Sequence, residues 1–80
     1  MHQRVHVVLK IPAYQLELYY DGTIDTVAAE TTDGRVIYFP ANVLRQVVQS
    51  HGVYGTFELV FDASNKFVSI RRVGHASQAG

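Results

Sequence analysis

Apolar and polar side chains alternate with a period of two along this chain, and this alternation constrains the fold more than any other feature. Between Arg4 and Ile11 every odd position is Val, Leu or Ile, and most even positions are polar. Residues 57–61 repeat the pattern, with Phe, Leu and Phe at the odd positions. Successive side chains of a β-strand point to opposite faces of a sheet, so both stretches are typical of half-buried strands.

Turn residues divide the remaining sequence and predict two short helices. Pro12 fits the first turn of a helix that stops at Asp21-Gly22. Its apolar positions recur at helical spacing: Tyr14, Leu16, Leu18 and Tyr20. A second helix follows Pro40, with Asn42 as the expected N-cap and a buried face at the apolar positions that follow it. These are Val43, Leu44, Val47 and Val48.

The register of two predicted hairpins follows from keeping one apolar face. A three-residue loop over 32–34, with Gly34 in the left-handed conformation, aligns the apolar positions of the first hairpin. It pairs Val27 with Phe39 and Ala29 with Ile37. The second hairpin turns between Asp62 and Lys66. Its expected pairs are Phe61 with Val68, Leu59 with Ile70 and, on the outer face, Glu58 with Arg71.

The order strand, helix, hairpin, helix, hairpin predicts an α+β fold that is mainly β. We expect about five mostly antiparallel strands in a curved sheet or a small SH3-like barrel or roll with two short helices. The sheet closes if strand one pairs with the last strand, and this closure is the topology that we expect. The expected domain organisation is a single α+β domain over 1–73 and a disordered C-terminal tail over 74–80.

The amino-acid composition of the chain argues against some classes of binding partner. Seven basic and seven acidic residues give a net charge of zero, which argues against a protein that coats nucleic acid or an anionic membrane. The chain has no cysteine and no long apolar run, so we expect a cytoplasmic protein without a membrane partner. A core built from 80 residues is thin, and a homodimer would add stability.

The sequence contains no complete catalytic, metal or phosphate-binding motif. His2 and His6 have chelating spacing on a helix, but on a strand their Cα atoms lie roughly 13 Å apart. Ser50 and His51 are adjacent at a helix end, so they do not point at a common substrate atom. We therefore expect no enzyme activity and no cofactor.

A basic group on the outer face is the one candidate contact surface. If the first and last strands pair, Arg4, His6 and Lys10 lie near Arg71 and Arg72. With one of the five tyrosines, such a patch could bind RNA or single-stranded DNA. The alternative is that these are solvated charges that protect an edge strand and pair with Glu58, while the tyrosines line the margin of the core.

The motifs together resemble a family of short, single-domain proteins of gammaproteobacteria, pseudomonads among them, that is described as a domain of unknown function. The resemblance runs from about Arg4 to Val73, with departures at Val47, where an aromatic is more usual, and at Pro12, where a polar helix start is. The residues that carry it are 19–22, 33–35, 39–45, 51–55, 57–62, 66–67 and 69–72. It implies a bacterial cytoplasmic source and brings no ligand or catalytic residue.

Two functions remain open. The favoured one is a non-enzymatic protein-interaction module, in which a sheet edge or helix face binds an unidentified protein or a second copy of the chain. The alternative is a small barrel that binds RNA or single-stranded DNA through the basic outer-strand patch.

Overall fold

The structure is a computed structural model that describes residues 2–74. In chain order its elements are β1 (Gln3–Pro12), α1 (Ala13–Tyr20), β2 (Thr26–Glu30), β3 (Val36–Pro40), a 3₁₀ helix (Ala41–Gln46), β4 (Gly52–Phe61) and β5 (Phe67–Gly74). The strands of this range form two antiparallel sheets, and the two helices are short. The α+β, mainly β class is therefore confirmed.

The larger sheet has the strand order β1-β4-β5. β1 and β4 pair antiparallel along their whole lengths, from Gln3 opposite Phe61 to Pro12 opposite Gly52. The prediction that strand one pairs with the last strand is wrong, because β4 lies between them. Every residue of β4 is buried or half-buried, and the strand takes the central place, where neighbours on both sides satisfy its backbone.

The β2–β3 hairpin forms the second sheet with the predicted register. Val27 lies opposite Phe39 and Ala29 opposite Ile37. Gly34 has a φ of 89°, the left-handed conformation that the three-residue loop requires. The hairpin is attached to β1 at one point, where the Thr32 N–H donates to the His6 carbonyl at 2.8 Å. Among the described residues the strands do not close into a barrel.

The core lies between the two sheets and the helices. β1 contributes one side chain in two, as the alternation predicts: Val5, Val7, Leu9 and Ile11. Phe57 and Leu59 of β4 and Leu44 of the 3₁₀ helix are fully buried. Phe39 from β3 packs into the same cluster, so the hairpin shields the inner face of the larger sheet.

Both helices differ in detail from expectation. Pro12 has an extended backbone and ends β1, and α1 begins one residue later. Only Leu16 of α1 is buried, so the stripe with Tyr14 and Leu18 faces outward. The second helix is a 3₁₀ helix that begins directly after the extended Pro40, and no side chain caps it. The expected N-cap at Asn42 is therefore wrong.

The last hairpin keeps most of its predicted register. Leu59 lies opposite Ile70 and Glu58 opposite Arg71, as expected. A register shift next to Phe61 pairs it with Phe67 rather than with Val68. β5 extends to Gly74, and the rest of the predicted tail, 75–80, lies outside the described residues. In the described range no helix is long and apolar enough to cross a membrane.

Gly52 marks the closest backbone approach in the larger sheet. Its φ of 127° lies in a region that L side chains rarely adopt. A Cβ atom here would meet the Ile11 carbonyl oxygen and lie 2.9 Å from the backbone nitrogen of Ala13. The junction between β1 and α1 therefore needs glycine at this position of β4.

We expect Gly52→Ala to reduce the free energy of unfolding by about 3 kcal/mol or more, because backbone strain and a backbone clash add together. Gly34→Ala is the matched control. It has a similar positive φ but open space around the added atom, so only the strain of about 1–2 kcal/mol applies. Urea unfolding followed by circular dichroism measures both, and equal losses would contradict the clash.

Candidate functional site

The outer face of the larger sheet carries four of the basic candidates, and three of them lie around one carboxylate. His6 on β1 and Arg71 on β5 both lie opposite Glu58 on the central strand. Glu58 Oε2 is 3.2 Å from His6 Nε2, and Glu58 Oε1 accepts a hydrogen bond of 3.1 Å from Arg71 Nε. The Glu58 side chain is only 11% exposed, so a buried negative charge occupies the centre of the basic patch.

The environment of Glu58 favours its ionised form. The hydrogen bond from Arg71 is the main cause that lowers the pKa of the Glu58 carboxyl below its usual value. Burial opposes this effect, while the hydrogen bond from His6 and the positive charges of Arg71 and Arg4 lower the pKa further. The cluster is thus held together by charge, and Glu58 offsets one of its positive charges.

Arg4 and Lys10 lie towards opposite ends of β1. Arg4 is opposite Val60 and Lys10 is opposite Tyr54. Six residues of strand separate their Cα atoms by about 20 Å. The structure therefore brings Arg4, His6 and Arg71 near one another around Glu58 and leaves Lys10 apart.

Arg72 lies on the inner side of the sheet, opposite Phe57. Its guanidinium carbon is 4.8 Å from the centre of the Phe57 ring. Its Nη1 donates to the Tyr54 carbonyl, and its Nη2 donates to the Val47 carbonyl at 3.2 Å. Arg72 thus ties β5 to β4 and to the segment after the 3₁₀ helix, and it does not join the outer-face patch.

A groove lies along β3, at the place where the strands fail to close. It consists of two adjoining depressions of about 560 and 390 Å³ that share Tyr38, Phe61 and Asn65. We call it the β3 groove. The other residues that line it are Gln3, Val5, Arg35, Val36, Ile37, Pro40, Asn42, Val43, Gln46, Lys66 and Phe67.

The β3 groove exposes a strand edge that pairs with no other strand of residues 2–74. Val36, Ile37 and Tyr38 all line it although their side chains alternate between faces, which only an edge allows. The Thr31 N–H donates to the Arg35 carbonyl at 2.7 Å, so hydrogen-bonded pairs recur at Ile37 and Phe39. The backbone N–H and C=O groups of Val36 and Tyr38 therefore point away from β2, towards the groove.

The groove has an apolar floor and an aromatic wall. Phe61 is 9% exposed and packs edge-on against the Phe67 ring, with centroids 6.2 Å apart. Tyr38 is 66% exposed and Val36 58% exposed. Such a combination of an apolar cleft, exposed large side chains and free backbone groups is typical of a surface that binds an extended peptide.

Comparison with protein families identifies the chain at the level of family. The family model described as Protein of unknown function (DUF2835) matches residues 3–73. The chain belongs to this family. The match confirms the resemblance drawn from the sequence motifs, while the gammaproteobacterial source stays a prediction. Searches of curated proteins and of solved structures found no match.

Sequence reasoning missed the β3 groove in this DUF2835 protein, although one signal for it was present. Residues 36–39 are apolar at four successive positions, so β3 has large apolar side chains on both faces. With Ile37 and Phe39 facing the core, Val36 and Tyr38 must face outward. The opposite wall of the groove is formed by the β4–β5 turn. Only the tertiary structure shows that this turn lies beside β3.

The neighbouring arginines of this DUF2835 protein are expected to differ in their effect on stability. Arg72→Ala leaves two backbone carbonyls without their donor and uncovers the Phe57 ring, so it should cost about 2 kcal/mol. Arg71→Ala removes a solvent-exposed partner of Glu58 and should cost less. The midpoints of urea unfolding measure the stability of both variants. A larger loss of stability for Arg71→Ala than for Arg72→Ala would contradict these assignments.

The Glu58 cluster should make stability depend on pH. Because the folded-state pKa of Glu58 lies below its unfolded value, its contribution is fully present above about pH 4.3 and is lost as pH falls through the folded pKa. The stability advantage of the native chain over Glu58→Gln should therefore shrink between pH 7 and pH 3. Unfolding midpoints across this range measure it, and a constant difference would count against the charge assignment.

Proposed function

We propose that this chain is a non-enzymatic protein-interaction module that binds a partner along the β3 groove. The unpaired edge of β3 is the observation that carries the proposal. Its outward N–H and C=O groups, at Val36 and Tyr38, offer a partner strand the hydrogen bonds that a sheet neighbour would make. The adjoining depressions offer space for the partner's side chains.

The side chains along this edge support the proposal. Natural sheets protect free edges with charges, bulges or covering elements. The outer face of β3 instead presents Val36 and Tyr38, both more than half exposed. Tyrosine is among the residues that contribute most to binding at protein interfaces. An edge of this composition is better suited to binding than to remaining in water.

We also propose that the protein is bacterial and cytoplasmic. Its partner in the groove is either a different protein or a second copy of the chain. The nucleic-acid alternative has less support, because Glu58 occupies the centre of the basic patch and Arg72 lies on the other face. If the chain binds nucleic acid, its affinity for the nucleic acid should fall steeply as the salt concentration rises.

A photo-crosslinking amino acid placed at two exposed tyrosines tests the site. Tyr38, 66% exposed in the groove, should capture a discrete partner protein in a lysate of the source cell. Tyr14, 76% exposed on α1, is the matched control and should not capture it. Val36→Pro should abolish the capture at Tyr38, because it removes an outward N–H group without removing a β2 hydrogen bond.

A product made only of two copies of this chain would identify the partner as the chain itself. Equal capture from both tyrosines, or capture at Tyr38 that survives Val36→Pro, would overturn the proposed site. Circular dichroism establishes that each variant is folded. Tyr38→Ser, which keeps the backbone groups and removes the ring, serves as a second variant in competition experiments.

A further inference from the structure

The side chains that line the β3 groove carry charge of one sign only. Arg35 stands at the β3 start and Lys66 near its end, and none of the lining residues is Asp or Glu. The remaining polar lining consists of amide side chains and one tyrosine hydroxyl. Although the chain as a whole has a net charge of zero, both charged side chains among these lining residues are cationic.

Two carboxylates beside the groove are engaged in turns, and a third, that of Glu30, lies on β2 opposite Val36. Asp33 Oδ1 accepts hydrogen bonds from the Thr31 hydroxyl and from Arg35 Nε, the latter at 3.2 Å. Asp62 Oδ1 accepts the backbone N–H groups of Ser64 at 2.8 Å and of Lys66 at 3.0 Å. Asp33 thus offsets part of the Arg35 charge. Within residues 2–74 the Lys66 ammonium group forms no ion pair, so it is the stronger attraction for an anion.

The length of β3 matches a short extended segment, and Arg35 and Lys66 line the depressions towards its two ends. Five residues of strand separate Arg35 from Pro40, a span of about 17 Å. Between them the groove is apolar, with Val36 and Tyr38 along one wall and Phe61 on the floor. A bound strand of about five residues would cover this stretch and bring its own flanking residues to the two cations.

From this juxtaposition we infer that the natural occupant of the groove is an extended peptide segment of a partner protein, with a short apolar stretch flanked by carboxylates. The inference rests on the proposed function and specifies the chemistry of the partner. Carboxylates at the ends pair with Lys66 and Arg35, alternate apolar side chains enter the two depressions, and the peptide backbone extends the β3 edge.

A nucleic acid fits the groove less well. Its backbone carries a negative charge at every nucleotide, and sites that bind it contact many phosphates through basic side chains. The groove presents two cations, and Asp33 already pairs with one of them. The alternating N–H and C=O groups of the β3 edge match a peptide strand instead.

Selection from a random twelve-residue peptide library on phage tests the inference. The full chain is the target, and the Val36→Pro chain removes peptides that bind elsewhere. We expect the selected pool to be enriched in Asp and Glu on both sides of an apolar stretch of about five residues. Tyr38→Ser repeats the counter-selection in case Val36→Pro does not fold.

Charge reversal at two lysines provides the matched comparison. Selected peptides, resynthesised with a fluorescent label, should bind the Lys66→Glu chain about tenfold more weakly, because one charge-assisted contact is lost and replaced by repulsion. Lys10→Glu makes the same change on the outer face of β1, outside the groove, and should leave affinity within about twofold. Fluorescence anisotropy measures both.

The outcomes separate the inference from the function on which it rests. A pool that depends on the β3 edge but has no acidic bias, or that is insensitive to Lys66→Glu, would overturn the inference and leave the interaction module standing. A selection that yields no peptide dependent on β3 would count against both. Tight, Lys66-dependent binding of a twenty-nucleotide oligo(dT) would replace the peptide by a nucleic acid and overturn the inference.

Discussion

The antiparallel ladder between β1 and β4 is the interaction on which the rest of the structure depends. It runs from Gln3 opposite Phe61 to Pro12 opposite Gly52 and joins segments far apart in sequence. At one end, the close approach at Gly52 sets where α1 begins. At the other, it carries the β4–β5 turn to the position where it faces β3. Both the helix and the β3 groove are therefore consequences of one pairing.

Among residues 2–74, the backbone of the β2–β3 hairpin pairs with the larger sheet at a single bridge, and the groove lies where the two sheets stay apart. The hairpin backbone reaches β1 through Thr31 and Thr32, while Phe39 anchors it to the core. The hairpin thus covers the inner face, but its outer edge does not reach β5. An unpaired edge with exposed apolar side chains is a liability in a soluble sheet unless something covers it. The proposed peptide partner gives that edge a role.

The two neighbouring arginines of β5 have different roles because their side chains point to opposite faces of the sheet. Arg71 faces outward and, with His6, holds the carboxylate of Glu58. Arg72 faces inward, covers Phe57 and satisfies two carbonyls. The basic patch predicted from the sequence included both arginines. Because side chains alternate along a strand, the side chain of Arg72 is withdrawn from the outer face, and Glu58 pairs with two of the basic residues that remain there.

The period-two pattern and the turn residues were enough to predict the two faces of β1 and most of the register of the two hairpins, but not the register shift at Phe61. The alternation predicts that Val5 and Val7 are buried, and the turn that contains Gly34 predicts that Val27 lies opposite Phe39. Both predictions are confirmed because period-two patterning and turn geometry depend on only a few neighbouring residues. The pairing of β1 with β4 and the position of Lys66 and Arg35 along one groove depend on contacts between distant segments, which the sequence pattern does not predict. Backbone hydrogen bonds between distant strands do not depend on side-chain identity, so local pattern does not specify which edges meet and which stay open.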